Sequence, residues 1–234
     1  MTISSEQQVA VARMLVNAAK QKELTLRIIG GVAVYANCPS VATHPKLQRA
    51  IQDVDFVAPR GDWLALEGIF AANDLRVRAK EKASWIFEKD GLVVEVCDPN
   101  FGFANFTRRL ALASPTLPPT DLLLIKLARQ PFEERDIQDA IALLLDHRVA
   151  DNEAEGQINH AYIAKLCARN WKLFHAVYDN TLTLERVLDQ YLEPEQARLV
   201  WRRIELLQSD LDRQPKSFGW MVNQFVRKPT QVPR

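Results

Sequence analysis

The stretch "QDVDFVAP", residues 52 to 59, limits the fold more tightly than any other. Val54 and Phe56 ask for burial, Asp53 and Asp55 alternate with them, and Pro59 ends the run. A period of two closed by proline describes a β-strand with one apolar face. Residues two apart share a face, so Asp53 and Asp55 project side by side while Val54 points the other way. Two adjacent carboxylates repel each other until one takes up a proton or a cation completes them.

The surrounding pattern alternates helix and strand. "SSEQQVAVARMLVNAAKQK" reads as a helix capped by Ser4 or Ser5, and "LTLRIIGG" as a strand that stops at Gly30-Gly31. "VAVYANC" continues as a helix directly after the glycine pair. Backbone N–H groups at such a junction can receive phosphate oxygens without side-chain obstruction. A polar loop with Pro39 and Pro45 leads to the aspartate strand, and "RGDWLALEGIFAAND" has the spacing of an amphipathic helix. The strands "ASWIFEK" and "LVVEVCD" flank Asp90-Gly91, a strong hairpin signal.

After Pro115, Pro118 and Pro119 the pattern becomes helical, with helices expected over about 119–130, 133–148, 159–169, 171–191 and 194–212. The expected architecture is therefore of the α+β or α/β class at residues 1–115, a mixed sheet flanked by helices, followed by an all-α domain at residues 116–234. A cleft between the two is the expected place for a ligand.

Composition excludes several classes of function. Thirty basic and twenty-nine acidic residues leave a formal charge of +1, so no global field favours nucleic acid or a membrane surface. Cys38, Cys97 and Cys167 are odd in number and lack a CxxC pair, which predicts neither a disulfide framework nor a zinc site and suits a reducing cytoplasm. No apolar run approaches the roughly 20 residues of a membrane span, and the opening "MTISSEQQ" lacks the positive charge of a signal peptide. Neither GxSxG nor GxxxxGK[ST] occurs, so acyl transfer and a P-loop mechanism have no footing.

The order "IIGGVAVYA", "RAIQDVDF" and an acidic residue on a later strand resembles the nucleotidyltransferase superfamily. Arg49, four residues before Asp53, matches the R-x-x-x-D-x-D form of its abortive-infection toxin branch (AbiEii-like). A Ser or Thr carried by some members between the arginine and the aspartates is replaced here by Ile51 or Gln52. The resemblance implies transfer of a nucleoside monophosphate from a nucleoside triphosphate to an acceptor hydroxyl on tRNA, protein or a small molecule. It also implies Mg²⁺ or Mn²⁺ on Asp53, Asp55 and a third acid, Gly30 and Gly31 on the triphosphate, and an antitoxin partner.

For the third acid the superfamily pattern of a carboxylate flanked by apolar strand residues favours Glu95, with Asp98 the rival. They lie three apart, so an ideal strand sends them to opposite faces. Glu95 sits mid-strand, where an unpaired charge is costly; Asp98, before Pro99, can cap a turn. "LLLIKLARQPFEERDIQDAIALL" is similar to the family's helical block, which makes Lys126, Arg135, Asp136 and Asp139 candidates at the nucleotide. Without the resemblance, Arg135, Asp136 and Asp139 describe a solvated helix face with i,i+3 and i,i+4 pairs. Lys126 interrupts an apolar run, and it either snorkels to the surface or points into the cleft.

Two other features compete with this reading. A non-catalytic nucleotide-binding or regulatory partner would keep the same motifs. The tail from Arg213 contains five basic residues, no acid, and Phe218, Trp220 and Phe225; this suits either nucleic acid or aromatic packing beside solvated charges.

Overall fold

The structure is a computed structural model that describes residues 4–226. Helix α1 (Ser5–Gln21) is opened by a capping box: the Ser4 side chain accepts from the Gln7 N–H, and the Gln7 side chain accepts from the Ser4 N–H. Both donors would otherwise be left open by the first turn. Val9, Ala12, Leu15, Val16 and Ala19 recur at helical spacing and are buried.

Strand β1 (Arg27–Ile29) runs without a loop into α2 (Gly30–Asn37). The chain turns at Gly30, whose φ of +68° is a left-handed conformation that a side chain would strain. A short helix, α3 (Pro39–Thr43), lies where a loop was expected; Pro39 stands at its first position, where a missing N–H costs nothing. Strand β2 (Asp53–Val57), helix α4 (Trp63–Ala71), and strands β3 (Arg76–Lys80), β4 (Ser84–Lys89) and β5 (Leu92–Cys97) complete the first part. The order across the sheet is β1-β2-β5-β4-β3, with β2 and β5 parallel and the other neighbours antiparallel. Asp90 and Gly91 turn the β4–β5 hairpin with φ of 49° and 86°, the two positive values that a type I′ turn requires.

Strand β3 has no counterpart in the sequence reading. "RVRAK" carries a charge at every other position, its residues are mostly exposed, and its ladder shifts register between Val77 and Ala79. It is an edge strand protected by charge and a bulge, which leaves no apolar alternation to read.

Residues 115–117 then lie along β1. The Ile28 N–H donates to the Pro115 carbonyl at 2.9 Å, and the Leu117 N–H to the Ile28 carbonyl at 3.2 Å. Helices α5 (Pro119–Leu127) and α6 (Glu134–Asp146) follow, then the short parallel strands β6 (Arg148–Ala150) and β7 (Gln157–Asn159). Helices α7 (His160–Cys167), α8 (Trp171–Tyr191), α9 (Pro194–Arg213) and α10 (Phe218–Val226) end the described chain. Every residue of α5 is buried, because the helix packs against α2, α6, α7 and α8. One apolar core runs from Val9 to Trp220 through both parts.

Trp220 in α10 is buried against Phe174 of α8 at 5.3 Å, whereas Phe218 is exposed. Lys216 lies over both the Phe174 and Trp220 rings. Aromatic packing thus accounts for Trp220; the side chain of Phe225 and the residues from Arg227 onward lie outside the described residues. No helix among the described residues is long and apolar enough to cross a membrane.

Candidate active site

A cavity of about 800 Å³ opens between the sheet and the corner joining α5 to α6. Strand alternation places its carboxylates. Val54 and Phe56 of β2 are fully buried, so Asp53 and Asp55 face the other way, into the cavity. Parallel pairing with β5 sets Asp55 directly opposite Glu95, which lines the same cavity. Asp98 stands elsewhere. It accepts from the Arg60 guanidinium and, at 2.7 Å, from the Asn100 N–H. Burial pushes its carboxyl up, but these bonds outweigh that and hold it below the usual range.

The three cavity carboxylates are mutually unfavourable. Burial first, then the charges of Asp53 and Glu95, push the Asp55 carboxyl up to about 7, against partial relief from Lys126 and Arg129. Cys97 shares the wall; burial, then Glu95 and Asp55, push its thiol up, so that it remains a neutral donor to Glu95.

Gly30 and Gly31 form the adjoining wall, and each lacks a side chain for a specific reason. A Cβ on Gly30 would collide with Asp55 Oδ2, and one on Gly31 with Arg49 Nη2. The glycine pair therefore lets the start of α2 approach both the aspartate strand and Arg49. The first turn of α2, whose N–H groups have no partner within the helix, thus borders the carboxylate site.

Arg49 and Lys126 are held by acids on α6. Arg49 binds Asp139 bidentately, Nε to Oδ1 at 2.9 Å and Nη2 to Oδ2 at 2.7 Å. Burial works against the Arg49 charge, but Asp139, and then Asp136 and Asp53, raise its pKa. Lys126 Nζ lies 2.8 Å from Asp139 Oδ2 and 3.2 Å from Asp136 Oδ1, with all three side chains buried. Lys126 therefore does not snorkel; it is locked inside the cavity wall. Asp136 and Asp139 are not solvated as their helical spacing suggested, because their partners come from other elements. Arg135 is exposed at the rim and pairs with Glu133 at 2.8 Å.

Among the cavity residues that the sequence did not point to, three stand out: Arg129 and two phenylalanines. Arg129 follows the end of α5, exposed and facing the cavity, and its charge reaches Asp55. Buried Asn180 of α8 fixes this turn by donating to the Leu127 and Arg129 carbonyls, each at 2.9 Å. Phe101 and Phe103, on the loop after β5, are the others. The lysine-to-arginine spacing in "KLAR" was a signal for Arg129; nothing local marked the two phenylalanines.

The donor set suits a hard divalent cation: oxygen ligands on adjacent strands, with one carboxyl driven towards protonation by burial and then by the other two. The described residues contain no group of three or more His, Cys, Asp and Glu side chains gathered to hold a metal as they stand. Mg²⁺ takes one or two carboxylates and completes its shell with substrate phosphates and water, so Asp53 and Asp55 meet its requirement without a preformed three-acid cage.

No protein-family model and no curated protein matches the chain. Among solved structures, it is similar to an antigenic nucleotidyltransferase-like protein from Paracoccidioides brasiliensis. That likeness has a TM-score of 0.50 at 16% identity, covering 94% of this chain and 99% of that one. ANT(2")-Ia in complex with adenylyl-2"-tobramycin gives 0.36 at 17% identity, covering 88% and 97%. The Megavirus polyadenylate synthase gives 0.40 at 11% identity, covering 86% and 50%. At these identities the first establishes the fold alone, and the TM-scores of the other two carry no argument. The chain thus has a nucleotidyltransferase-type fold, a mixed sheet flanked by helices and followed by a helical part.

Proposed function

We propose that the cavity binds a nucleoside triphosphate and transfers its nucleoside monophosphate to an acceptor hydroxyl. The observation that carries this reading is the set of three carboxylates, Asp53, Asp55 and Glu95, on one cavity wall beside a glycine turn, with Asp55 pushed up to about 7. Such a site is incomplete until positive charge arrives. Mg²⁺ or Mn²⁺, held by Asp53 and Asp55 and joined by Glu95, would supply that charge and offset the charge developing on the attacking and leaving oxygens.

The chain's own groups have distinct parts. Backbone donors at Gly30 and Gly31 receive triphosphate oxygens. Arg129 and Arg135 stand at the cavity without a buried acid to saturate them and attract the phosphates; Arg135 must first leave its solvent-exposed partner Glu133. Arg49 and Lys126 add positive potential from within their bonds to Asp136 and Asp139, which hold them in place. Glu95 accepts the proton of the acceptor hydroxyl. The acceptor oxygen then bonds to the α-phosphorus, the bond from that phosphorus to the bridging oxygen breaks, and pyrophosphate leaves.

The acceptor, on the superfamily resemblance, is tRNA, a protein or a small molecule. The Arg49 spacing supports the toxin-like branch, in which a partner protein restrains the activity. A non-catalytic nucleotide-binding protein is the second reading, favoured by the lack, among the described residues, of a group of three or more acids, histidines or cysteines preformed to hold a metal.

Incubation with each labelled nucleoside triphosphate, Mg²⁺ or Mn²⁺, and RNA or cell extract tests the proposal. Label transfer that falls by about two to three orders of magnitude in Asp55→Asn supports it. Triphosphate binding with no transfer to any acceptor supports the non-catalytic reading. Transfer undiminished in Asp55→Asn would sink the assignment of the site.

A further inference from the structure

The cavity wall mixes charged with apolar residues, and two of the apolar ones are aromatic. Phe101 and Phe103 are half-buried on the loop that follows β5, and both rings line the cavity beside Glu95 and Cys97. Their centroids are 6.1 Å apart at an interplanar angle of 51°. Beneath them Phe106, fully buried, meets Phe101 edge-on at 5.4 Å and Phe103 at 6.2 Å. The buried ring fixes the two half-exposed ones through edge-to-face contacts.

The loop backbone is fixed as well. The Phe101 N–H donates to the Ala104 carbonyl at 3.0 Å and the Phe106 N–H to the Pro99 carbonyl at 2.8 Å. Asn100 accepts from the Gly102 N–H at 3.1 Å, and Gly102 has a φ of +78°, which permits the turn between the two phenylalanines. Two half-buried aromatic rings are thus held at the wall of the cavity.

Topology places these rings relative to the reacting atoms. The glycine turn leaves β1 at the level of Asp55, on the β2 side of the site. The phenylalanine loop leaves the end of β5, on the far side of Glu95. Crossing the cavity from the glycine turn, one meets the carboxylates and then the aromatic pair. A triphosphate on the glycines with its α-phosphorus at the carboxylates would direct its nucleoside toward the rings.

We infer that Phe101 and Phe103 form a stacking platform for the nucleobase of the triphosphate; this rests on the nucleotidyl-transfer reading above. Stacking recognises a π-face that every base has, so the platform adds affinity and discriminates weakly among the four bases.

Titration calorimetry with Mg²⁺ tests this, using ATP, GTP, CTP, UTP and inorganic tripolyphosphate on the wild-type chain and the Phe101→Ala/Phe103→Ala variant. The variant should bind the nucleoside triphosphates about tenfold to a hundredfold more weakly and tripolyphosphate within about twofold of wild type. Phe101→Tyr/Phe103→Tyr, which keeps the flat faces, should bind as wild type does. Phe101→Leu/Phe103→Leu, which keeps apolar volume without them, should show most of the alanine loss. Leucine substitution without effect, or equal losses for nucleotide and tripolyphosphate, would overturn the platform while leaving the proposed function standing. An alanine effect that appears only with acceptor present would place the acceptor on the rings and overturn the base assignment. A wild-type chain that binds neither ligand overturns the proposed function, and the platform falls with it.

Discussion

Two sets of charged side chains face the same cavity and are built on opposite principles. On the helical side, Arg49, Lys126, Asp136 and Asp139 balance two cations against two anions, and every member is bonded to another. On the sheet side, Asp53, Asp55 and Glu95 place three like charges together, and burial, then these charges, push the Asp55 carboxyl up to about 7. Burial differs in degree, since Lys126, Asp136 and Asp139 are buried while Asp53 is exposed and Asp55 and Glu95 are half-buried, but charge balance separates the sets more sharply. The difference is completeness: a saturated set leaves a ligand nothing to supply, while an unsaturated one is stabilised by whatever brings the missing charge. On the proposed function, the helical set is scaffold that lends potential to the site, and the sheet set is the place of reaction.

The largest effect should come from breaking the saturated set. Asp139 holds both Arg49 and Lys126, and Asp139→Ala takes from these two enclosed cations the one carboxylate bonded to both. The expected cost is about 3–5 kcal/mol, read by urea unfolding. By the same measurement Asp55→Asn should unfold no more easily than wild type at neutral pH, since it removes a repulsion. Equal destabilisation by the two substitutions would erase the contrast between the sets.

Gly30→Ala comes next, because it strikes the junction between backbone and the unsaturated set. The added Cβ meets Asp55 Oδ2, and φ at +68° is strained for alanine. A loss of about 1–3 kcal/mol is expected, with nucleotidyl transfer falling further than stability because Asp55 is displaced. Unchanged transfer in a folded Gly30→Ala chain would show that the close approach is not needed.

A pH series of melting curves separates the sets without mutating the saturated one. An unfolded aspartate titrates near 3.9, and in the folded, metal-free chain Asp55 does so at about 7. Between these values the folded state binds a proton that the unfolded state has released. Stability therefore falls as pH rises through that window and levels off above it. Asp121, pushed up to about 7 by burial despite Arg109, adds a slope of the same sign. Asp55→Asn should accordingly flatten the dependence without abolishing it. Mg²⁺ should raise the melting temperature more at pH 8 than at pH 5.5, and a larger rise at the lower pH would count against cation binding at the carboxylates.

How legible each set is follows from the range of its contacts. The sheet set is written locally: Asp53 and Asp55 alternate with Val54 and Phe56, and the glycine turn and the Asp90-Gly91 hairpin are short-range signals that the fold follows. The helical set is written at long range, since Asp139 finds Arg49 ninety residues away. Its i,i+3 spacing with Asp136 therefore looked like an exposed helix face. Lys126 in an all-apolar stretch was the one sign that a buried partner was needed. Strands β6 and β7 are three residues each and pair in parallel across a loop, too short for any periodicity to register. The phenylalanine loop gains its meaning only from the fully buried Phe106 beneath it.

The smallest effect sharpens the boundary of the unsaturated set. Glu95 and Asp98 lie on one short segment, yet only Glu95 lines the cavity. Asp98 makes a partly exposed pair with Arg60 and accepts from the Asn100 N–H. Losing an exposed pair costs little, since solvent screens both charges and long side chains recover their freedom. Asp98→Asn retains an oxygen for the Asn100 N–H, so stability should change by less than about 1 kcal/mol and transfer should be unaffected. Glu95→Gln is the matched control: it removes one of the three repelling charges and, on the proposed function, the group that accepts the acceptor proton. Transfer should then fall while stability holds or rises. A chain crippled by Asp98→Asn and indifferent to Glu95→Gln would move the third carboxylate to the end of β5 and require Arg60 to release it.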